Sequence, residues 1–154
     1  MNELAQRARP AWGAVVSMAL GVFGLVTAEF LPASLLTPMA ADLDITEGMA
    51  GQAVTATAAV ALLTSLLIST ATRRIDRRHV LLGFSALLVA SNLMVAFAPN
   101  LTVLLLGRVL LGMALGGFWT MSIATMMRLV PEDLVPRGLS IMFSGVSAAT
   151  IAAA

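Results

Sequence analysis

The sequence contains no cysteine and a single histidine, His79. The chain can therefore form neither a disulfide nor a thiolate metal site, and it lacks the histidines for an imidazole metal site. Charge is also scarce, because charged residues make up 11% of the chain and hydrophobic residues 59%. A soluble globular domain does not need so much apolar surface, so the composition predicts an all-α, polytopic membrane helix bundle.

Motifs for ATP hydrolysis and for common hydrolases are missing as well. There is no GxxxxGK[ST] loop to cradle phosphates, no HExxH pair and no nucleophile elbow. We therefore expect that the chain is not an enzyme and has no catalytic residues. We also expect that this chain does not use ATP hydrolysis to drive its function. We expect no metal, no cofactor and no nucleic-acid partner.

Five apolar runs predict membrane-spanning helices. A bilayer core of about 30 Å needs roughly 17–25 apolar residues as a helix. The first run follows a tail at residues 1–10 and is longer than the ~7–15-residue core of a signal peptide, so we interpret it as a retained span. The loops are short, which makes successive helices antiparallel neighbours. Residues 11–154 thus form a partial transmembrane bundle, with predicted spans at 11–36, 49–72, 80–98, 101–127 and 138–154, the last ending with the sequence.

Arginine placement predicts the orientation of the bundle. All nine basic residues are arginines, and eight of them lie outside the apolar runs. Because cytoplasmic loops of membrane proteins carry an excess of basic residues, the tail and the arginine-bearing loops are predicted to be cytoplasmic. The eight arginines occupy the tail and alternate loops, all on one side of the predicted bundle: Arg7, Arg9, Arg73, Arg74, Arg77, Arg78, Arg128 and Arg137.

Two charges lie inside the predicted spans, Glu29 in the first and Arg108 in the fourth. Each is seven residues from the outer end of its run, so both lie roughly 10 Å below the outer surface. A charge at such depth costs about 2.5–3.5 kcal/mol on insertion scales and often marks an ion path. Opposite charges at one level favour a buried pair. The pair is either a fixed link between two helices or a proton-coupling site in which Glu29 is protonated beside Arg108.

The fourth span also carries small and aromatic residues near the face of Arg108. Gly112 and Gly116 form a GxxxG pair, and Trp119 lies eleven residues after Arg108, only about 20° from the same helix face. One interpretation is helix packing at the glycines, with Trp119 in the interfacial aromatic belt. The other is a substrate cavity lined by Gly112, Gly116 and Trp119, with the indole ring stacking on a planar ligand. Pro32, three residues after Glu29, is expected to loosen the first span.

Three segments of the chain carry a resemblance to a known protein family. They are EFLPASLLTPMAADL at 29–43, Asp76-Arg77-Arg78 after the second span, and GRVLLGMALGGFW at 107–119. These segments resemble the N-terminal part of major facilitator superfamily transporters of the 12-span drug:H⁺ antiporter type. The stretches EGMAGQAVT at 47–55, ALGGFWTMS at 114–122 and MRLVP at 127–131 are similar to the subgroup of purine ribonucleoside efflux pumps.

The resemblance implies roles for particular residues. Arg108 matches the family's proton-coupling arginine, and Glu29 matches the acidic residue of the first span. The loop after the second span matches the family's cytoplasmic gating motif only in part, because Arg73 stands at the motif's aspartate and Asp76 at its second glycine. The family's charge relay is therefore either lost or rearranged around Asp76. The residues of this loop assigned to gating are Arg74, Asp76, Arg77 and Arg78.

The resemblance also implies a function. We expect proton-coupled efflux (H⁺ antiport) of purine ribonucleosides or related nucleobase compounds across the bacterial inner membrane. Export of sugars or amphipathic drugs by the same fold is an alternative, and a non-transporting membrane protein that packs with partners is another. Because the family has twelve spans and this sequence has five, we expect that the 154-residue chain does not transport alone. Its expected partners are the small-molecule substrate, H⁺, the lipid bilayer and the remaining spans of the transporter.

Overall fold

A computed structural model describes residues 10–72 and 75–153. In this part of the chain five helices are long and apolar enough to cross a membrane. The predicted all-α bundle of five membrane-spanning helices is confirmed. The α-helices are α1 (Trp12–Ser34), α2 (Leu36–Asp42), α3 (Glu47–Ala71), α4 (Arg77–Ala96), α5 (Leu101–Leu129) and α6 (Val135–Ala153), with a 3-10 turn at Glu132–Leu134.

The helix boundaries differ from the apolar runs because polar caps set them. Asp76, Asn100 and Thr46 each accept a hydrogen bond from a main-chain N–H in the first turn of the following helix, at 2.9, 3.0 and 3.3 Å. Such caps satisfy donors that have no partner inside the helix. As a result α3 and α4 begin before the first apolar residues of their runs. The short α2 lies where the sequence analysis placed the end of the first span and the loop that follows it.

The helix α5 is the centre of the bundle, in contact with α3 on one side and α4 on another. Glycines make this position possible. A Cβ atom added to Gly112 would lie 2.6 Å from the Thr57 main-chain oxygen of α3, and one added to Gly107 would lie 2.9 Å from Val95 Cγ2 of α4. Small residues let membrane helices approach backbone to backbone, so the glycines of α5 determine the spacing of three helices.

The first and last described helices, α1 and α6, form a second close pair. Gly145 of α6 faces the main chain at Ala19 of α1 so closely that a Cβ atom would overlap it. Large apolar side chains on the outer surface, such as Leu20, Leu66 and Ile151, are exposed. An apolar exterior is what a bilayer requires, since lipid replaces water around a membrane-spanning bundle.

Candidate functional site

The site is organised around Arg108, which is buried between α1, α3 and α5 with 1% of its surface exposed. Its guanidinium donates hydrogen bonds to three main-chain oxygens. Nη1 donates to Ala28 at 2.8 Å, Nη2 to Glu29 at 3.4 Å, and Nε to Ala53 of α3 at 3.5 Å. A buried cation requires such acceptors, because burying an unpaired charge is costly. Arg108 therefore connects α5 to α1 and to α3.

The half-buried Glu29 lies at the level of Arg108, in agreement with the depth estimated from the sequence. The contact is made through the main chain of Glu29, whose carbonyl oxygen accepts from Nη2. Over residues 10–72 and 75–153, no hydrogen bond joins the guanidinium to the Glu29 carboxylate. The structure thus brings the two residues together without a direct ion pair. Their part in proton coupling stays a prediction.

Two buried hydroxyl groups support the arginine, and the sequence alone did not assign them to the site. The single hydroxyl proton of Thr57 in α3 is shared between the Ala53 oxygen, at 3.0 Å, and the Arg108 oxygen, at 3.3 Å. Ser91 of α4 donates to the Gly107 oxygen at 2.7 Å. Buried polar groups are normally hydrogen-bonded, so a hydroxyl in a charge-free span was the available signal. Together these bonds fix α5 on both sides of the arginine.

The remaining predicted residues of the fourth span face different neighbours. Gly112 and Gly116 lie against the main chain of α3, Gly116 beside the Ala61 carbonyl. Trp119 instead stacks on Phe143 of α6, with ring centroids 5.9 Å apart and the planes inclined by 29°. Gly112, Gly116 and Trp119 therefore do not share one open surface, because α3 covers the glycines. A substrate cavity at these residues stays a prediction.

The aromatic partner of Trp119 was not found by sequence reasoning. Phe143 lies in α6 and exposes 47% of its surface. A phenylalanine in an apolar run carries no sequence signal, since the same residue packs equally well against lipid or protein. The stacked pair joins α5 to α6 and presents aromatic surface beside the bundle.

The predicted gating loop is described in part. Arg73 and Arg74 lie outside the described residues, as do Arg7 and Arg9. Asp76 Oδ1 accepts from the Arg78 main-chain N–H at 2.9 Å, which makes it the N-cap of α4. Arg77 is half-buried and Arg78 is exposed. A role of this loop in gating stays a prediction, and the contact observed at Asp76 is a helix cap.

The same end of the bundle joins distant parts of the chain. The Ala11 main-chain N–H donates to the Leu129 oxygen at 2.9 Å, and the Arg137 guanidinium lies over the Trp12 ring, 5.4 Å from its centroid. Nearby, a cleft of about 560 Å³ opens between α1, α4 and α5. Arg78, Ser17 and Thr125 are among its lining residues, whereas Arg108 and Trp119 are not.

Over residues 10–72 and 75–153, five span-length helices and a guanidinium buried among them define a polytopic membrane protein with a charged site inside the bundle. A family model described as Major Facilitator Superfamily matches residues 18–154, and the chain belongs to that superfamily. It is 56% identical over 147 residues to proteins named purine ribonucleoside efflux pump NepI from Salmonella paratyphi B and Salmonella typhimurium. The Salmonella paratyphi A protein of the same name is 55% identical.

These alignments cover 96% of this chain and 37% of each relative. The chain thus spans little more than a third of the length of the curated relatives that it matches. Among solved structures, the comparison found no match.

Proposed function

We propose that the chain forms part of a secondary transporter that exports purine ribonucleosides in exchange for protons. The observation that carries this proposal is the 56% identity, over 96% of the chain, to proteins named as efflux pumps for these compounds. A cation held inside the bundle beside a carboxylate supports the proton exchange, because ionisable groups within membrane spans commonly form proton relays. The arginine-bearing loops support an inner-membrane orientation with the N-terminus in the cytoplasm.

In the proposed mechanism a proton from the outer side neutralises Glu29. The carboxylate then no longer attracts Arg108, which stays bound to the α1 main chain. A change in charge at this contact shifts the relative free energies of outward-open and inward-open states, as any ligand does that binds two states unequally. The nucleoside leaves as the proton enters.

The aromatic pair of Trp119 and Phe143 is the proposed contact for the purine base. Purines present flat π surfaces, and a base stacked on an aromatic side chain gains about 1–3 kcal/mol. Gly112 and Gly116 contribute indirectly, since their contact with α3 determines where α5 and therefore Trp119 lie. The observation behind this assignment is the 5.9 Å stacking of the two rings at the junction of α5 and α6.

The test uses a chimera in which this chain replaces the matching segment of the full-length Salmonella typhimurium relative. Inside-out vesicles that contain the chimera should accumulate radiolabelled inosine when a pH gradient is imposed. Glu29→Gln should abolish the gradient-driven part of the uptake, because the amide cannot carry the proton. The matched control is Glu132→Gln, the same change at an exposed residue of the 3-10 turn.

Several outcomes would contradict the proposal. Retained coupling in Glu29→Gln would remove this residue from the mechanism. Normal efflux by the double variant Glu29→Gln/Arg108→Gln would assign the pair a purely structural role. Inhibition by sugars or amphipathic drugs, without inhibition by unlabelled nucleosides, would assign a different substrate class to the same fold.

A further inference from the structure

Pro32 lies inside α1, four residues after Ala28. In an α-helix the N–H of each residue donates to the carbonyl oxygen four residues earlier. Proline has no N–H, so the Ala28 oxygen has no donor from residue 32, and the proline ring also pushes against that carbonyl. Ala28 is buried, with 8% of its surface exposed. Its oxygen is therefore an acceptor available to another helix.

Arg108 occupies this acceptor. Its bond from Nη1 to the Ala28 oxygen is 2.8 Å long, whereas its bonds to Glu29 and Ala53 measure 3.4 and 3.5 Å. The Ala53 oxygen also accepts from Thr57 Oγ1 at 3.0 Å and is thus shared. Hydrogen bonds weaken as they lengthen and when the acceptor is shared. The bond from Arg108 to the Ala28 oxygen is therefore the strongest of the three.

We propose that Pro32 is a positioning residue for Arg108, because it frees the Ala28 carbonyl to hold the guanidinium against α1. A main-chain carbonyl does not titrate in the physiological range. The bond therefore persists whether Glu29 is charged or neutral, unlike an ion pair with the carboxylate. Pro32 in this way keeps the cation at the level of Glu29 throughout a protonation cycle. The hydrogen bond between Arg108 and Ala28 does not depend on the proposed function. The role of this bond in export does rest on the proposed function.

The contact can be measured on this chain in lipid bilayers by solid-state NMR. Arginines are labelled with ¹⁵N and alanine carbonyls with ¹³C, and the ¹⁵N–¹³C dipolar coupling is recorded at the η nitrogens. A bond of 2.8 Å puts Nη1 at most about 4 Å from the Ala28 carbonyl carbon. The contact with Ala53 is made through Nε at 3.5 Å, so Ala28 is the labelled alanine whose carbonyl an η nitrogen contacts directly.

The variant Pro32→Ala should lose most of this η coupling, because the new N–H donates to the Ala28 oxygen within the helix. Pro38→Ala is the matched control, since it also adds one labelled alanine. Pro38 lies in the first turn of α2, where main-chain N–H groups have no partner inside the helix. It should retain the coupling of the unmodified chain.

Two results would overturn the assignment: no η coupling in the unmodified chain, or full coupling in Pro32→Ala. Alanine favours helices, so the variant is expected to fold. Pro32→Val supplies the same N–H with a different side chain, and it must give the same loss.

The effect on export is tested in the chimera described above. Pro32→Ala should lower the maximal rate of gradient-driven uptake roughly 10- to 100-fold, the size expected for losing one hydrogen bond to a charged group, with the KM for inosine unchanged. In an Arg108→Gln background it should cause no further loss, because both changes remove the same interaction. Losses that multiply instead would show that Pro32 acts on helix structure alone. A chimera without any export would refute the proposed function, while the NMR result still decides the contact.

Discussion

Replacing Gly112 by alanine adds one methyl group where α5 lies against the main chain of α3. The new Cβ atom would lie 2.6 Å from the Thr57 oxygen and 2.9 Å from Val60 Cβ, whereas ordinary van der Waals contact begins at 3.4 Å. The first contact is with main chain, which cannot rotate away. α3 and α5 would have to separate by about 0.8 Å, and overpacking of this kind costs about 1–3 kcal/mol.

The separation should also break the bond from Thr57 Oγ1 to the Arg108 oxygen, which is already 3.3 Å long. Loss of a neutral hydrogen bond costs about 1 kcal/mol. Together the two effects predict that Gly112→Ala lowers the free energy of unfolding by about 2–4 kcal/mol. The assay is reversible unfolding of the chain in mixed detergent micelles, followed by far-UV circular dichroism as the denaturing detergent fraction rises.

The matched control is Gly83→Ala on α4, where a Cβ atom would meet nothing within 4 Å. This variant should be neutral, or more stable by up to about 1 kcal/mol, because alanine has the higher helix propensity. If Gly112→Ala unfolds at the same detergent fraction as Gly83→Ala or the unmodified chain, then α3 and α5 are not packed as described. If both variants lose the same free energy of unfolding, then the loss comes from replacing any helical glycine and not from the contact between α3 and α5.

Two further predictions concern the aromatic pair and the cap of α4. Trp119→Ala in the chimera should raise the KM for inosine about 10- to 100-fold, since stacking contributes about 1–3 kcal/mol; Trp12→Ala, which removes the other tryptophan at the arginine-rich end, should leave KM unchanged. Asp76→Ala should speed amide hydrogen exchange at Arg78 about fivefold, because the lost cap is worth about 1 kcal/mol. Asp76→Asn keeps an acceptor and should exchange like the unmodified chain, and equal rates in all three proteins would contradict the capping role.

Much of the fold was predictable because a bilayer selects for length and hydropathy. The number of spans and the shared depth of Glu29 and Arg108 depend on residue counts along each helix, which the sequence contains directly. The helix α2 was missed because it is only seven residues long. A helix of about two turns is too short to give a periodic pattern of apolar residues in the sequence. The starts of α3 and α4 were missed because a single polar capping residue begins each helix before the apolar run does.

The site was predictable in its residues and not in its contacts. Sequence reasoning pairs side chains, so it paired Arg108 with the Glu29 carboxylate. The structure uses main-chain oxygens, which every residue carries whatever its side chain. One signal was nevertheless present, since a proline inside a span identifies which carbonyl lacks its helical donor, and here that carbonyl belongs to Ala28.

The bond between Arg108 and Ala28 joins residues 80 positions apart, which has a consequence for biosynthesis. At translation rates of about 5–20 residues per second, Arg108 is made roughly 4–16 s after its acceptor. During that interval α1 has neither its arginine nor α6, its main packing partner, which is made later still. During this time α1 carries an Ala28 carbonyl without the guanidinium that it binds in the folded bundle. The arrival of the fourth span then completes its polar contacts.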